Sequence, residues 1–229
     1  PLPAGRHHLM AAAANNKIYI FGGAAAGSAD ATATTFVYDP VAVAWSEAAS
    51  MPEARLSGVA IPLNGKIYIV GGAGGGQALL EYDPVADSWR SLAPLGQPRE
   101  HLAVAALGGE LYAIGGRWAG AGELTSVEIY DPASDVWRVG PPLLRPHSGF
   151  GAAVVRDQIM VSGGEIVMNG NETLAAVEVL DPQTQTWAFA TDMPLPLHGL
   201  AVAAVDNRLY LIGGSLRAGA IENEGRVLV

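Results

Sequence analysis

The sequence contains no cysteine, which removes zinc–thiolate sites, cysteine nucleophiles and disulfides, and leaves no redox compartment to be read. Lysine is nearly absent: Lys17 and Lys66 are the only two, and the arginines are scattered along the chain. With a net charge of −9 and no basic cluster, the chain lacks the patch that phosphate neutralisation requires, so nucleic acid and anionic membrane surfaces are not expected as partners. Each apolar run is broken by Gly, Asn or charge well short of the roughly 20 residues that span a bilayer, and membrane insertion is not expected. No stretch holds a 3.6-residue apolar period for three turns, so long helices are not expected either. No secretory leader is visible, although a chain that opens on Pro1 could have lost one to processing or truncation. Half of the residues are hydrophobic and 15% are charged, enough for a sizeable core without metal or disulfide staples. The preference for arginine over lysine, with abundant alanine, fits a GC-rich bacterial genome.

What the chain does contain is repetition. A short apolar run ending in two glycines returns five times, at Gly22-Gly23, Gly71-Gly72, Gly115-Gly116, Gly163-Gly164 and Gly213-Gly214, with spacings of 49, 44, 48 and 50 residues. Periods of this size mark solenoids or propellers, in which no single unit buries its own apolar faces. Before each diglycine, two short apolar runs flank a turn pair (Asn15-Asn16, Asn64-Gly65, Gly108-Gly109, Arg156-Asp157, Asp206-Asn207), which predicts a tight hairpin. After it come a variable loop and a third strand of alternating pattern that ends in Asp-Pro at Asp39, Asp83, Asp131 and Asp181. These aspartates read as Asx-turn residues rather than paired catalytic acids. Six residues further on stands a tryptophan each time, at positions 45, 89, 137 and 187. A tryptophan in fixed register on a fourth strand is expected to fill the wedge between neighbouring sheets while its N–H finds a carbonyl, whereas Trp118, outside the register, is expected to be more exposed.

Gly-Gly, Tyr-Asp-Pro and Trp in this order, with an arginine heading the first strand, resemble the Kelch repeat, found also in galactose oxidase-like propeller domains. The resemblance covers essentially the whole chain and implies an all-β propeller of four-stranded antiparallel blades. Blades are expected at about 6–50, 55–94, 99–140 and 145–192, with a partial fifth at 197–229, all in a single Kelch domain over 1–229. Unit four departs from the pattern at Leu180 and Met160, and unit five carries Leu197-His198 where the head arginine is expected. Unit five also lacks the Asp-Pro to Trp segment, so its blade should miss the outer strand. That allows a fragment of a six-bladed ring, with a further domain or missing blade beyond the termini.

The resemblance implies that partners bind the loop face around the central channel. Strand-head residues Arg6, His8, Arg55, Arg99, His101, Arg145, His147 and His198, with His7, would ring that face. Arg117, Trp118, Glu123, Asn171, Glu172 and Arg217, with Asn169, Glu222 and Glu224, would project from the longer loops. The arginines in register (Arg6, Arg55, Arg99, Arg145) are expected to brace the blade junctions. Arg117 and Arg217, off register, are the expected ligand contacts, with little structural role. The histidines could bind a metal, but hydrogen bonding between loops is the stronger reading, and neither metal nor other cofactor is expected. Gly71–Gly76 lacks the helix and Lys of a phosphate loop and reads as a flexible connection. Asn171-Glu172-Thr173 has the form of a glycosylation acceptor, which matters only in a eukaryotic secretory protein. The function expected is noncatalytic binding of a protein or glycan, with an extracytoplasmic setting favoured over the cytoplasm. The alternative is a sugar-active enzyme resembling bacterial Kelch sialic-acid mutarotases. A copper radical enzyme like galactose oxidase is disfavoured, since its tyrosine–cysteine cross-link needs a cysteine.

Overall fold

Strands and turns make up the computed structural model, which describes residues 1–168, 170–219 and 225–229, and no helix occurs among them. The candidates Asn169, Glu222 and Glu224 lie outside the described residues.

Each pass through the repeat forms an antiparallel meander, and the chain divides into two compact units, Pro1–Glu100 and His101–Val229. The first unit holds two four-stranded sheets. One runs Met10–Ala14, Lys17–Phe21, Thr35–Asp39, Ala44–Ala48, and the other Val59–Leu63, Lys66–Val70, Leu79–Asp83, Ser88–Leu92. The second unit has two more, Ala103–Leu107, Glu110–Ile114, Val127–Asp131, Val136–Gly140 and Gly151–Val155, Gln158–Ser162, Val177–Asp181, Thr186–Phe189. A three-stranded sheet follows: Ala201–Val205, Arg208–Ile212, Val227–Leu228. Four complete blades and a fifth without its outer strand are thus present among the described residues, as the repeat count predicts.

The turn chemistry explains the hairpins. Both central residues of every first-to-second-strand turn have positive φ, from Asn15 and Asn16 at 50° and 59° to Asp206 and Asn207 at 50° and 58°, the twist-matched geometry of a two-residue hairpin. The Asp-Pro corners are Asx turns, with Asp39 Oδ1 accepting from Val41 N at 2.9 Å and Asp83 Oδ1 from Val85 N at 2.9 Å.

The cores lie between sheets rather than within them. In the first unit Met10, Tyr19, Phe21 and Val37 of one blade cluster with Ile67, Ile69, Leu80 and Tyr82 of the next. In the second, Tyr112, Ile114 and Ile129 meet Ile159, Val161 and Leu180. The diglycines are needed where the blades join. Both residues of each pair have positive φ, and a Cβ on Gly22 would lie 2.3 Å from the Arg55 carbonyl oxygen, as one on Gly163 would from that of Leu197.

Two of the four tryptophans are seen to join blades as expected: Trp89 Nε1 donates to the Ala49 carbonyl at 2.8 Å and Trp187 Nε1 to that of Pro141 at 2.9 Å. Their burial differs from expectation. Only Trp187 is buried; Trp45, Trp89 and Trp137 are half-buried, and so is Trp118. The fourth strand is outermost in its meander, and Trp45, Trp89 and Trp137 cover the strand-three tyrosine with ring centroids 5.0, 4.8 and 5.0 Å apart, which leaves one face of the indole to solvent. Trp187 pairs across strands with Leu180 instead.

Candidate functional site

Three of the first strands are fixed at their heads by a sixteen-residue reach to the first glycine of their own diglycine. Arg55 Nη1 donates to the Gly71 carbonyl at 3.3 Å, Arg6 Nη1 to Gly22 at 3.4 Å, and His147 Nδ1 lies 2.7 Å from that of Gly163. The second glycine then donates to the carbonyl of the next head: Gly23 to Arg55, Gly72 to Arg99, Gly116 to His147 and Gly164 to Leu197, at 2.8 to 2.9 Å. Blade four therefore braces with His147. Arg145, expected in that role, sits two residues earlier and reaches outward to Glu172 at 3.1 Å.

Arg55 and Arg99 are fully buried and Arg6 half-buried, its guanidinium 5.1 Å from the Phe36 ring centroid. Arg55 also donates to Ala78 O at 3.0 Å and Glu53 Oε2 at 3.1 Å. Burial pulls its guanidinium down from the ordinary value, and the Glu53 charge opposes that. The Gly71–Gly76 run is a hydrogen-bonded coil around this guanidinium, not a flexible connection: Gly76 N donates to Gly72 O at 2.7 Å, and a Cβ on Gly75 would lie 2.4 Å from Arg55 Cζ.

The residues after the diglycines carry the variation. They are Ala24, Ala73, Arg117, Glu165 and Ser215. In the second unit Arg117 Nη1 and Glu165 Oε1 meet at 2.8 Å, with side chains 16% and 5% exposed. Arg117 Nη2 lies 3.4 Å from His101 Nε2, His198 Nδ1 lies 3.2 Å from Glu165 Oε2, and Gly219 N donates to the same oxygen at 2.8 Å. Arg117, His101 and His198 are thus brought together around Glu165, a residue absent from the sequence-based set although its place after a diglycine matches that of Arg117. The expectation that Arg117 has little structural role is corrected by this buried pairing.

Glu123, buried on the loop of blade three, accepts from Val167 N and Met168 N at 2.7 Å and ties that loop to the loop of blade four. Burial raises its carboxyl, but the N–H groups of Met168 and Val167 outweigh it and hold it below the usual carboxylate range. Trp118 pairs with Gly122 in a two-residue ladder, close to a shallow depression lined by Gly120, Ala121, Gly122 and Met168. Asn171, Glu172 and Arg217 are exposed, and the Arg217 carbonyl accepts from His198 Nε2 at 2.8 Å. His8, exposed and at φ 53°, faces His7 through the two Nδ1 atoms at 2.7 Å and accepts at its carbonyl from Ser57 N. No metal-ligating cluster of three or more side chains forms among the described residues.

Repeated four-stranded meanders joined by diglycine and tryptophan contacts define a β-propeller repeat protein. The chain belongs to the Kelch-repeat family: the KLHDC2/KLHL20/DRC7 Kelch-repeats domain matches residues 51–214, and the Kelch motif matches residues 5–52. Among solved structures it is similar to one titled "Structure of YjhT", with a TM-score of 0.87 and 17% identity over 98% of this chain and 81% of that one, a likeness of fold. No curated protein matches the sequence.

Proposed function

We propose that this Kelch propeller is a noncatalytic binding module that takes a protein or glycan ligand through the loops that follow its diglycines. The observation that supports the reading most is the state of the carboxylates there. Glu165 already receives Arg117 and Gly219 N and lies against His198, and Glu123 receives two backbone N–H groups. Acids with their lone pairs so engaged orient a surface and are poorly placed to move protons. Outside that scaffold, Trp118, Asn171, Glu172 and Arg217 offer the aromatic, amide and charged contacts that glycans and peptides use. The test is a binding screen of the purified chain on glycan and peptide arrays, repeated with Trp118→Ala and Arg217→Ala. Binding that falls about tenfold, or ~1.4 kcal/mol, with an unchanged melting curve supports the reading. An array hit indifferent to both substitutions overturns the site.

The sugar-isomerase alternative draws on one observation: Arg117, Glu165, His101 and His198 supply a guanidinium, a carboxylate and imidazoles in one cluster. Proton NMR of freshly dissolved sugar acids decides it, because accelerated anomer equilibration that is lost in Glu165→Gln would make the protein an enzyme.

A further inference from the structure

Blade one leaves open a surface that blade two keeps covered. In blade two a row of residues crosses the four strands in register: Pro62, Ile67, Tyr82 and Trp89. Ile67 and Tyr82 of that row pack against blade one and are 0% and 1% exposed. The matching row of blade one is Ala13, Ile18, Tyr38 and Trp45. Here Ala13 is exposed, Ile18 is 42% exposed, and Tyr38 and Trp45 are half-buried. The Tyr38 hydroxyl and Trp45 Nε1 have no hydrogen-bond partner among the described residues.

The closed junctions show what such a row takes. Blade two grips both backbone groups of Ala49: Trp89 Nε1 donates to its carbonyl at 2.8 Å, and Asp87 Oδ1 accepts its N–H at 2.8 Å. The same oxygen accepts the Tyr82 hydroxyl at 2.7 Å. Between blades three and four the gripped residue is Pro141, which has no N–H. Trp187 Nε1 still donates to its carbonyl at 2.9 Å, but blade four carries Leu180 and Gln185 where blade two carries Tyr82 and Asp87. Gln185 turns its amide to Pro182 O at 2.8 Å. The acid stands where an N–H must be met and is absent where proline stands.

Blade one has Val43 at the position of Asp87. Its φ is 52°, beside 49° at Asp87, 55° at Asp135 and 56° at Gln185, and a β-branched side chain is the worst suited of these to left-handed backbone. Val43 is also 73% exposed, so no burial within the described chain offsets that strain. The row therefore offers two donors, the Tyr38 hydroxyl and the Trp45 indole N–H, flanked by apolar Val43 and Ile18 and with no carboxylate. A covering residue with an N–H would leave it unmet, whereas proline has none to leave. Ala49 and Pro141 are themselves already held by Trp89 and Trp187. We propose that this row of blade one, separate from the diglycine loops, docks an extended segment of a partner protein that presents a proline carbonyl to the Trp45 indole.

The test uses the whole chain with its indole nitrogens labelled, the Trp45 signal being assigned by its absence in Trp45→Phe. The probes are a synthetic peptide of the sequence Val139–Leu144, which contains Pro141, and the same peptide with Pro141→Ala. The proline peptide is expected to shift the Trp45 signal and to bind at least about tenfold more tightly than the alanine peptide. Val43→Asp should fold at least as stably as the wild type, because aspartate already occupies this backbone at Asp87 and Asp135, and it should reverse the order of the two peptides. A Trp45 signal that ignores the proline peptide, or that answers both peptides equally, overturns the proposal. An unchanged preference in Val43→Asp does so too. A shift confined to the Trp118 signal would put the peptide on the diglycine loops and likewise overturn it.

Discussion

Arg117 and Glu165 occupy the same repeat position in consecutive blades, the residue after the diglycine, and close on each other as an ion pair at 2.8 Å. Removing the arginine leaves a nearly buried carboxylate with His198 and Gly219 N alone. Arg117→Ala should therefore destabilise the fold by about 2 kcal/mol, less than the ~3–5 of a fully buried pair. In a urea double-mutant cycle, Glu165→Gln should recover part of that loss. Additive effects of the two substitutions would mean the pair is not coupled.

Arg55 and Gly75 form a steric and electrostatic couple. Arg55→Ala removes a buried fork that holds Gly71 O, Ala78 O and Glu53, at a cost of about 3 kcal/mol or more. Gly75→Ala drives a methyl against the guanidinium, since its nearest neighbours would be Cζ at 2.4 Å and Nε at 2.5 Å. The double variant should be much less destabilised than the sum of the singles, because the clash vanishes with the side chain it strikes. Thermal melts of the three variants measure this directly.

Acid should loosen the corners at Asp39, Asp83 and Asp131. Asp83 is held down to about 2, first by the Lys66 ammonium and then by Val85 N and Ala86 N. Asp39 is lowered by Ala42 N and Val41 N, and Asp131 by the Ser134 hydroxyl and Ala133 N. Folded values below the unfolded 3.8 mean stability present above about that pH and lost as pH falls toward 2. Asp83→Asn should flatten the wild-type profile over this window and leave it unaltered near neutrality. An identical acid limb in both proteins would contradict the assignment.

How much of this was legible in the sequence depends on how local the cause is. Asn15-Asn16 and Asp39-Pro40 fold by their own dihedral and side-chain preferences, so their turns could be read directly. The glycines could be read as markers, but their reason is nonlocal: the Arg55 carbonyl packs where a Gly22 Cβ would stand. The brace of blade four was hidden by Arg145, which resembles a head arginine. Counting ten residues from each tryptophan gives Arg55, Arg99, His147 and Leu197, a register that would have found it. Glu165 carries no motif, and its importance comes from partners 48 and 33 residues away, Arg117 and His198, which only the folded chain brings together.

The two ends of the second unit should differ in local stability. Ala103, Val104 and Ala105 on the first strand of blade three are buried, whereas the matching Ala201, Ala203, Ala204 and Val205 of blade five are exposed. Ile212 at 44% and Val227 at 56% are likewise open in blade five, whose third strand pairs on one side only among the described residues. Few buried apolar contacts and a short ladder lower the cost of local opening. Amides of Ala201–Ile212 should therefore exchange with deuterium at least about tenfold faster than those of Ala103–Ile114, a difference of ~1.4 kcal/mol in opening free energy. Equal protection of the two hairpins would mean that blade five is covered in solution, and its exposed valines would then mark an interface.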